Sequence, residues 1–188
     1  TRLLAVNELQ AQLKLKPNDF ALRMDLAGAY GAMAEASVLA GDVVSGEQLS
    51  KDAVILLEKL IGEQPENAEV ASRLAAQRGL VAGMMEDRGD SKKAAELIDD
   101  GISILESHVA AEKGDALAKF RLGMLLWQKG RITGAANDRK QELVFCQQAL
   151  DMFLKLNSKD HGFLRAEQVN RSIGYLLGDM GHSAQIAK

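Results

Sequence analysis

A spacing of 48 residues recurs along the chain and constrains its fold more than any other feature. The residues that it relates are helix-ending prolines and glycines and core-type leucines: Pro17 and Pro65, Gly41 and Gly89, and Leu26, Leu74 and Leu122. A fixed period of this length marks stacked units, because each unit leaves an apolar face that a neighbouring copy covers. We therefore predict an all-α antiparallel array of helix hairpins, an α-solenoid of about eight helices.

Composition supports this prediction. The chain has 188 residues, of which 47% are hydrophobic and 4% aromatic, so it can bury a substantial core with small side chains. Small residues allow helices to pack closely, and no stretch alternates apolar and polar residues long enough to indicate a strand. We expect one helical repeat domain over residues 1–188, divided into a half unit 1–16, units 17–64, 65–113 and 114–158, and a partial unit 159–188.

Start and stop signals place the helices within these units. Pro17 and Pro65 close helices, and Asn18 or Asp19 and then Asn67 cap the helices that follow. Glycines then end these helices at Gly41 and Gly89, where a left-handed cap costs little.

The third unit is expected to depart from the period. Its next glycine is Gly130, so we predict a helix over 116–129, a turn at Gly130 and a second helix over 135–156. A last helix is predicted over 162–180, ending before Gly181, and Gly114-Asp115 is expected to form the turn before the third unit.

Charge and cysteine usage exclude some classes of function. The net charge is −3 and the cations are scattered, so neither nucleic-acid binding nor an anionic membrane surface is expected. No apolar run is long enough to insert in a membrane. The single Cys146 fits a reducing compartment, which favours the cytoplasm, although the periplasm stays open and the location is unknown. The chain lacks an initiating Met, so we expect it to be a fragment of a longer protein.

Several positions resemble the tetratricopeptide repeat, in its degenerate, long-helix bacterial form. The matching residues are Leu122-Gly123 followed by Gly130, Ile173-Gly174 followed by Gly181, and Val81-Ala82 followed by Gly89, Ala94, Ile98 and Gly101. The resemblance implies a right-handed solenoid. It also implies that the first helix of each unit lines a concave groove that holds a peptide or a helical segment.

Candidate groove residues follow from this register. Phe120, Met124 and Trp127 share one face of their helix by their i, i+4 and i+7 spacing, and Arg171 and Tyr175 occupy the last helix. The alternative is that the helix from Ala116 to Trp127 is a core helix, because it is apolar nearly all round. Trp127 could therefore belong to the core or to the groove.

Matching these positions in the earlier units selects glycines and acids: Gly31, Glu35, Gly79, Gly83 and Glu86. We take Glu35 and Glu86 as the acidic residues of the predicted groove. An acidic wall favours a basic or amphipathic segment over a carboxylate ligand.

Enzymatic sites find little support. The only histidines are His108, His161 and His182. A di-iron site needs two Glu-x-x-His pairs on facing helices. The nearest approximations are Asp179 with His182, three residues apart at a helix end, and Glu106 with His108, which point away from one another. No nucleophile elbow, phosphate loop or dinucleotide fingerprint is present. Cys146 follows the apolar Leu143-Val144-Phe145, which predicts an inert buried thiol. We expect no enzyme, no cofactor and no metal.

The sequence thus leads to two hypotheses about function. The first is a non-enzymatic protein-protein interaction or scaffolding module whose groove binds a peptide or helical segment. The alternative is a homo-oligomerising structural domain of a larger bacterial protein, such as a sensor or kinase-associated region, in which apolar ends stack. The identity of the partner is unknown.

Overall fold

The computed structural model describes residues 2–109, 116–156 and 166–186, and every regular element in these ranges is a helix. The eight helices are α1 (Arg2–Leu15), α2 (Phe20–Leu39), α3 (Val43–Glu63), α4 (Ala68–Asp87), α5 (Ser91–Val109), α6 (Ala116–Ala135), α7 (Arg139–Leu156) and α8 (Ala166–Ile186). The predicted all-α antiparallel array is confirmed. None of these helices is both long and apolar enough to cross a bilayer. The predicted turn at Gly114-Asp115 and the predicted helix start at 162 lie outside the described residues.

The predicted caps begin the helices. The Asp19 carboxylate accepts a hydrogen bond from the backbone N–H of Leu22 at 3.1 Å and caps α2. The Asn67 side chain accepts from the N–H groups of Glu69 and Val70, both at 3.2 Å, and caps α4. Each cap satisfies N–H groups that have no partner within the helix.

Left-handed residues make the hairpin corners. Gly41 and Gly89 have φ of +85° and +82°, and the next residues, Asp42 and Asp90, donate their N–H to Ser37 and Met85 carbonyls, each at 2.9 Å. Carboxylates of the same two aspartates then cap α3 and α5. One Gly-Asp pair therefore ends one helix and begins the next.

The third corner is not at Gly130, so the predicted helices 116–129 and 135–156 are wrong. Helix α6 continues to Ala135, and Asn137, at φ 68°, takes the place of Gly41 and Gly89. Asp138 donates its N–H to the Thr133 carbonyl at 3.2 Å and caps α7. Asn tolerates the left-handed conformation better than most residues, so the 48-residue period is kept. Helix α8 likewise continues through Gly181.

Successive helices pack on one another in chain order, from α1 against α2 to α7 against α8. The even-numbered helices also contact each other, α2 with α4, α4 with α6, and α6 with α8. In the part of the chain that the structure describes, α3, α5 and α7 do not contact each other. We call the face formed by α2, α4, α6 and α8 the inner wall. This neighbour-to-neighbour stacking is the arrangement expected of a repeat array.

Glycines permit the closest approaches between helices. A Cβ on Gly123 of α6 would lie 2.6 Å from Cε1 of Phe153 on α7, and Phe153 is fully buried. Gly130 lies in the interior of α6, where a Cβ would lie 2.9 Å from Cys146 Sγ. These glycines are packing residues, which is the role that the sequence predicted for Gly123 but not for Gly130.

Candidate binding site on the inner wall

Hydrogen bonds between successive inner helices define the register of the repeat. Arg73 Nη1 donates to the Met24 carbonyl at 2.9 Å, and Arg121 Nη1 donates to Ser72 Oγ at 2.6 Å. The two arginines are one period apart, and so are their acceptors. Corresponding residues of successive inner helices therefore differ by one 48-residue period.

With this register, the predicted correspondence between residues of successive inner helices is wrong. Trp127 corresponds to Gly79 and Gly31, and Met124 corresponds to Ala76 and Gly28. The predicted matching paired Trp127 with Glu86, because it measured from a corner at Gly130 instead of Asn137.

A cavity of about 420 Å³ opens on the inner wall between α2, α4 and α6. Its lining comes from four helices: Ala27, Gly28, Gly31, Ala32 and Glu35 of α2, Leu57 of α3, Arg73, Ala76 and Gln77 of α4, and Arg121 of α6. Consecutive units therefore contribute to one concave surface.

Missing side chains on α2 create this cavity. Gly28 and Gly31 stand where α6 carries Met124 and Trp127. One unit later the same space is filled, because Leu125 Cδ2 would lie 2.8 Å from a Cβ on Gly79 and Gln128 Nε2 donates to the Gly79 carbonyl at 3.1 Å. The opening thus lies between the first and second full units.

Polar nitrogen atoms from α4 lie over the glycines. A Cβ on Gly28 would lie 2.6 Å from Arg73 Nη1, and a Cβ on Gly31 would lie 2.5 Å from Gln77 Nε2. Gln77 is only 7% exposed, and its Oε1 accepts a hydrogen bond from Ser50 Oγ at 3.1 Å. Among the described residues, Gln77 Nε2 has no acceptor. A buried amide nitrogen without an acceptor is costly, and Gln77 lines the cavity, so this donor is available to a group that enters it.

The two predicted acids of the groove have different environments. Glu35 is exposed and lines the cavity, and no ion pair to it is found in the described ranges. Glu86 is partly buried and forms an ion pair with Arg131 of α6 at 3.8 Å. Glu35 is therefore placed to meet a ligand in the cavity, whereas Glu86 joins α4 to α6.

Phe120 is not a groove residue, and this part of the prediction is wrong. Its side chain is only 6% exposed and packs against Phe153, with ring centroids 5.4 Å apart. Its counterparts Ser72 and Met24 are buried as well. The face of α6 that carries Phe120 turns towards α7, as the core alternative anticipated.

Met124 and Trp127 lie at the contact between α6 and α8. Met124 is 37% exposed, and its Sδ accepts a hydrogen bond from Ser172 Oγ at 3.8 Å. Trp127 is partly buried, and its indole N–H donates to Asp179 Oδ2 at 2.9 Å. Trp127 is thus neither wholly core nor free in the groove, because it joins two inner helices.

The two predicted residues of α8 are both exposed. Arg171 forms an ion pair with Glu167 on the same helix at 2.6 Å. Tyr175 corresponds to Trp127 and is 63% exposed. Neither is brought near the cavity.

Sequence reasoning missed Arg73, Gln77 and Arg121. A signal was present for the arginines, which recur one period apart on the inner helices. Gln77 corresponds to the apolar Leu125, so a polar residue at a core position marked the site.

The Cys146 thiol and the His108 imidazole lie outside the cavity. Burial raises the pKa of the Cys146 thiol to about 11, with a further contribution from the negative charge of Glu142. His108 lies with Nε2 3.0 Å from the Pro65 carbonyl oxygen and Nδ1 2.8 Å from that of Ile104. No group of three His, Cys, Asp or Glu side chains is gathered in the described ranges. His161 lies outside them.

Comparison with solved structures finds matches at low sequence identity. The crystal structure of BtubC (BKLC) from P. vanneervenii matches with a TM-score of 0.63 and 18% identity, over 95% of this chain and 63% of that one. The de novo designed helical repeat protein DHR64 matches with a TM-score of 0.36 and 16% identity, over 96% and 93%. The chain spans less than two thirds of the BtubC chain. No protein-family profile and no curated protein matches the sequence. The likeness to BtubC therefore shows the fold alone, a helical repeat array.

Proposed function

We propose that this chain is a non-enzymatic protein-interaction module, built of tetratricopeptide-like units, that binds a peptide or helical segment of a partner along its inner wall. One observation carries the proposal: the inner wall holds a cavity to which successive units contribute, and among the described residues the buried Gln77 Nε2 on its lining has no acceptor. Repeat arrays use their concave faces in this way, because stacking leaves an extended surface that a chain can follow.

Features around the cavity support a peptide as the occupant. A volume of about 420 Å³ lies at the lower end of the range for ligand pockets, so it suits one or two side chains of a longer segment. Met124 is exposed farther along the same wall, and an exposed thioether adapts to different apolar side chains. A segment anchored in the cavity could extend across α6.

Selection from a random peptide display library against the immobilised chain tests this proposal. Peptides recovered by selection are synthesised with a fluorescent label, and their affinities are measured by anisotropy. We expect Ala32→Glu, at an exposed position that lines the cavity, to weaken binding by roughly tenfold or more, because it places a bulky charge in the path of the peptide.

The control variants introduce the same residue, glutamate, on the outer helices. Gln48→Glu on α3 and Gln147→Glu on α7 alter exposed residues and should leave the affinity unchanged. The proposal fails if the library yields no specific binder, or if the outer-helix variants weaken binding as much as the variant at Ala32.

A second candidate function is self-association through the flank of α8. Tyr175 and Leu177 are 63% and 50% exposed. Their counterparts Trp127 and Lys129 contact the following helices α8 and α7, so α8 carries side chains suited to stacking on another helix. A second copy of the chain could cover this flank.

Light scattering coupled to size-exclusion chromatography separates the two candidates. Self-association predicts a mass that rises with concentration and a Leu177→Glu variant that stays monomeric. A chain that is monomeric at all concentrations would remove this candidate and leave the peptide-binding proposal untouched.

A further inference from the structure

We infer that the cavity between α2, α4 and α6 is a carboxylate-binding site, with Gln77 and Arg73 as its donors. The inference deepens the proposed function, since it names the chemical group by which a bound segment would be anchored. It reverses the expectation from sequence that carboxylate ligands are disfavoured.

Two nitrogen donors from α4 lie against one face of α2. Gly28 and Gly31 are three residues apart on α2, so they lie on the same face of that helix. Arg73 Nη1 and Gln77 Nε2 each lie directly over one of these glycines. Both nitrogens therefore lie against the same face of α2 at the wall of the cavity, and a carboxylate has two oxygens, one of which could accept from each donor.

Both side chains keep N–H groups that are not used in bonds within the part of the chain that the structure describes. Arg73 uses Nη1 for the Met24 carbonyl and Nη2 for Glu69, at 2.9 and 2.5 Å. A guanidinium has five N–H donors, so these contacts fix its position without exhausting it. Gln77 is fixed in the same manner by Ser50, which occupies the oxygen and leaves the nitrogen. The site is therefore preorganised to donate hydrogen bonds.

Charged side chains of both signs lie at the cavity. Arg73 and Arg121 line it, and Arg73 pairs with Glu69. Glu35 lies on the same lining, on the turn of α2 that follows Gly31. Glu35 should therefore weaken the binding of a carboxylate and favour a cation beside it.

Titration of the ¹⁵N-labelled full chain with small probes tests the inference. The probes are N-acetylglutamate N-methylamide as the side-chain carboxylate, N-acetylglycine as the terminal carboxylate and N-acetylglutamine N-methylamide as the neutral control. The Gln77 side-chain amide is assigned as the signal pair absent from the Gln77→Leu spectrum. We expect this pair to shift saturably with one or both carboxylates and not with the neutral probe, and the comparison identifies the source of the carboxylate.

Three variants sharpen the test. Gln77→Leu installs the residue that the next unit carries at this position, Leu125, so the fold should be retained while carboxylate affinity, read from backbone signals of α2, falls by roughly tenfold. Glu35→Gln should tighten carboxylate binding severalfold by removing a repulsive charge. Arg78→Lys is the matched control, since Arg78 points from α4 to Glu58 and Asp100 and should leave affinity unchanged.

Two results would overturn the inference: equal shifts with the neutral probe and the carboxylates, or unchanged carboxylate affinity in a folded Gln77→Leu variant. Failure of the peptide selection is a different result. A chain that binds selected peptides without any preference for acidic residues would keep the proposed function and reject this inference.

Discussion

The indole N–H of Trp127 donates to the carboxylate of Asp179 at 2.9 Å, which joins the inner helices α6 and α8. A double-mutant cycle with Trp127→Phe and Asp179→Ala should give a coupling energy of about 1 to 2 kcal/mol, because a hydrogen bond to a charged group contributes more than a neutral one. The measurement is the free energy of unfolding in urea. Additive effects of the two substitutions would show that this bond does not stabilise the array.

The corner at Asn137 is open to a direct test. Asn137 has φ 68°, so Asn137→Ala should lower the free energy of unfolding by about 1 kcal/mol, whereas Asn137→Gly should match or exceed the parent chain. Urea denaturation followed by helical circular dichroism measures both. If Asn137→Ala had no effect, the third corner would not lie at this residue.

Close packing at Gly123 predicts a larger loss. Gly123→Leu should cost roughly 1 to 3 kcal/mol, because its Cβ would meet the buried ring of Phe153. Gly174→Ala is the control, since a Cβ there meets nothing within 4 Å, and alanine in an exposed helix should gain about 0.5 to 1 kcal/mol. The thermal midpoint reports both changes, and an unchanged midpoint for Gly123→Leu would contradict the packing of α6 on α7.

The buried thiol of Cys146 predicts an alkaline loss of stability. Burial raises the pKa of this thiol to about 11 in the folded chain, whereas the thiol of an unfolded chain has a pKa of about 8.5. The folded state therefore holds the proton more tightly, and the contribution of this group to stability is lost as pH rises from the lower value towards the higher.

Over that pH range, the unfolding free energy of the parent chain should decline more steeply than that of Cys146→Ala. Comparing the two chains cancels the contribution of the other titrating groups, because both chains carry them. A disulfide reagent should also react slowly with the native chain and rapidly with the unfolded one. Rapid labelling of the native chain, or equal pH slopes, would show that the thiol is accessible.

Much of the fold could be predicted from sequence because its signals are local. Pro17, Asp19, Asn67, Gly41 and Gly89 each act on the nearest helix end, and the structure uses each one as expected. The third corner was missed because glycine has two uses in this chain. Gly130 allows α7 to approach, while Asn137 supplies the left-handed turn.

The candidate site was less predictable because it depends on residues that meet across helices. Sequence spacing placed Phe120 on a face with Trp127, but the packing of α7 buries Phe120 against Phe153. The cavity exists because Gly28 and Gly31 face Arg73 and Gln77. Sequence reasoning could match the residues of successive inner helices correctly only by keeping the 48-residue period through the third unit. Placing the third corner at Gly130 instead of Asn137 shifted each match by about two turns of helix.

The most direct test of the account is hydrogen exchange of the full chain with and without a peptide recovered by selection. A segment bound along the inner wall should slow exchange in α2, α4 and α6, with the largest effect around Gly28 and Gly31. Exchange in α3, α5 and α7 should be nearly unchanged. Slowing confined to those outer helices, or to the flank of α8, would contradict the claim that the inner wall is the binding face.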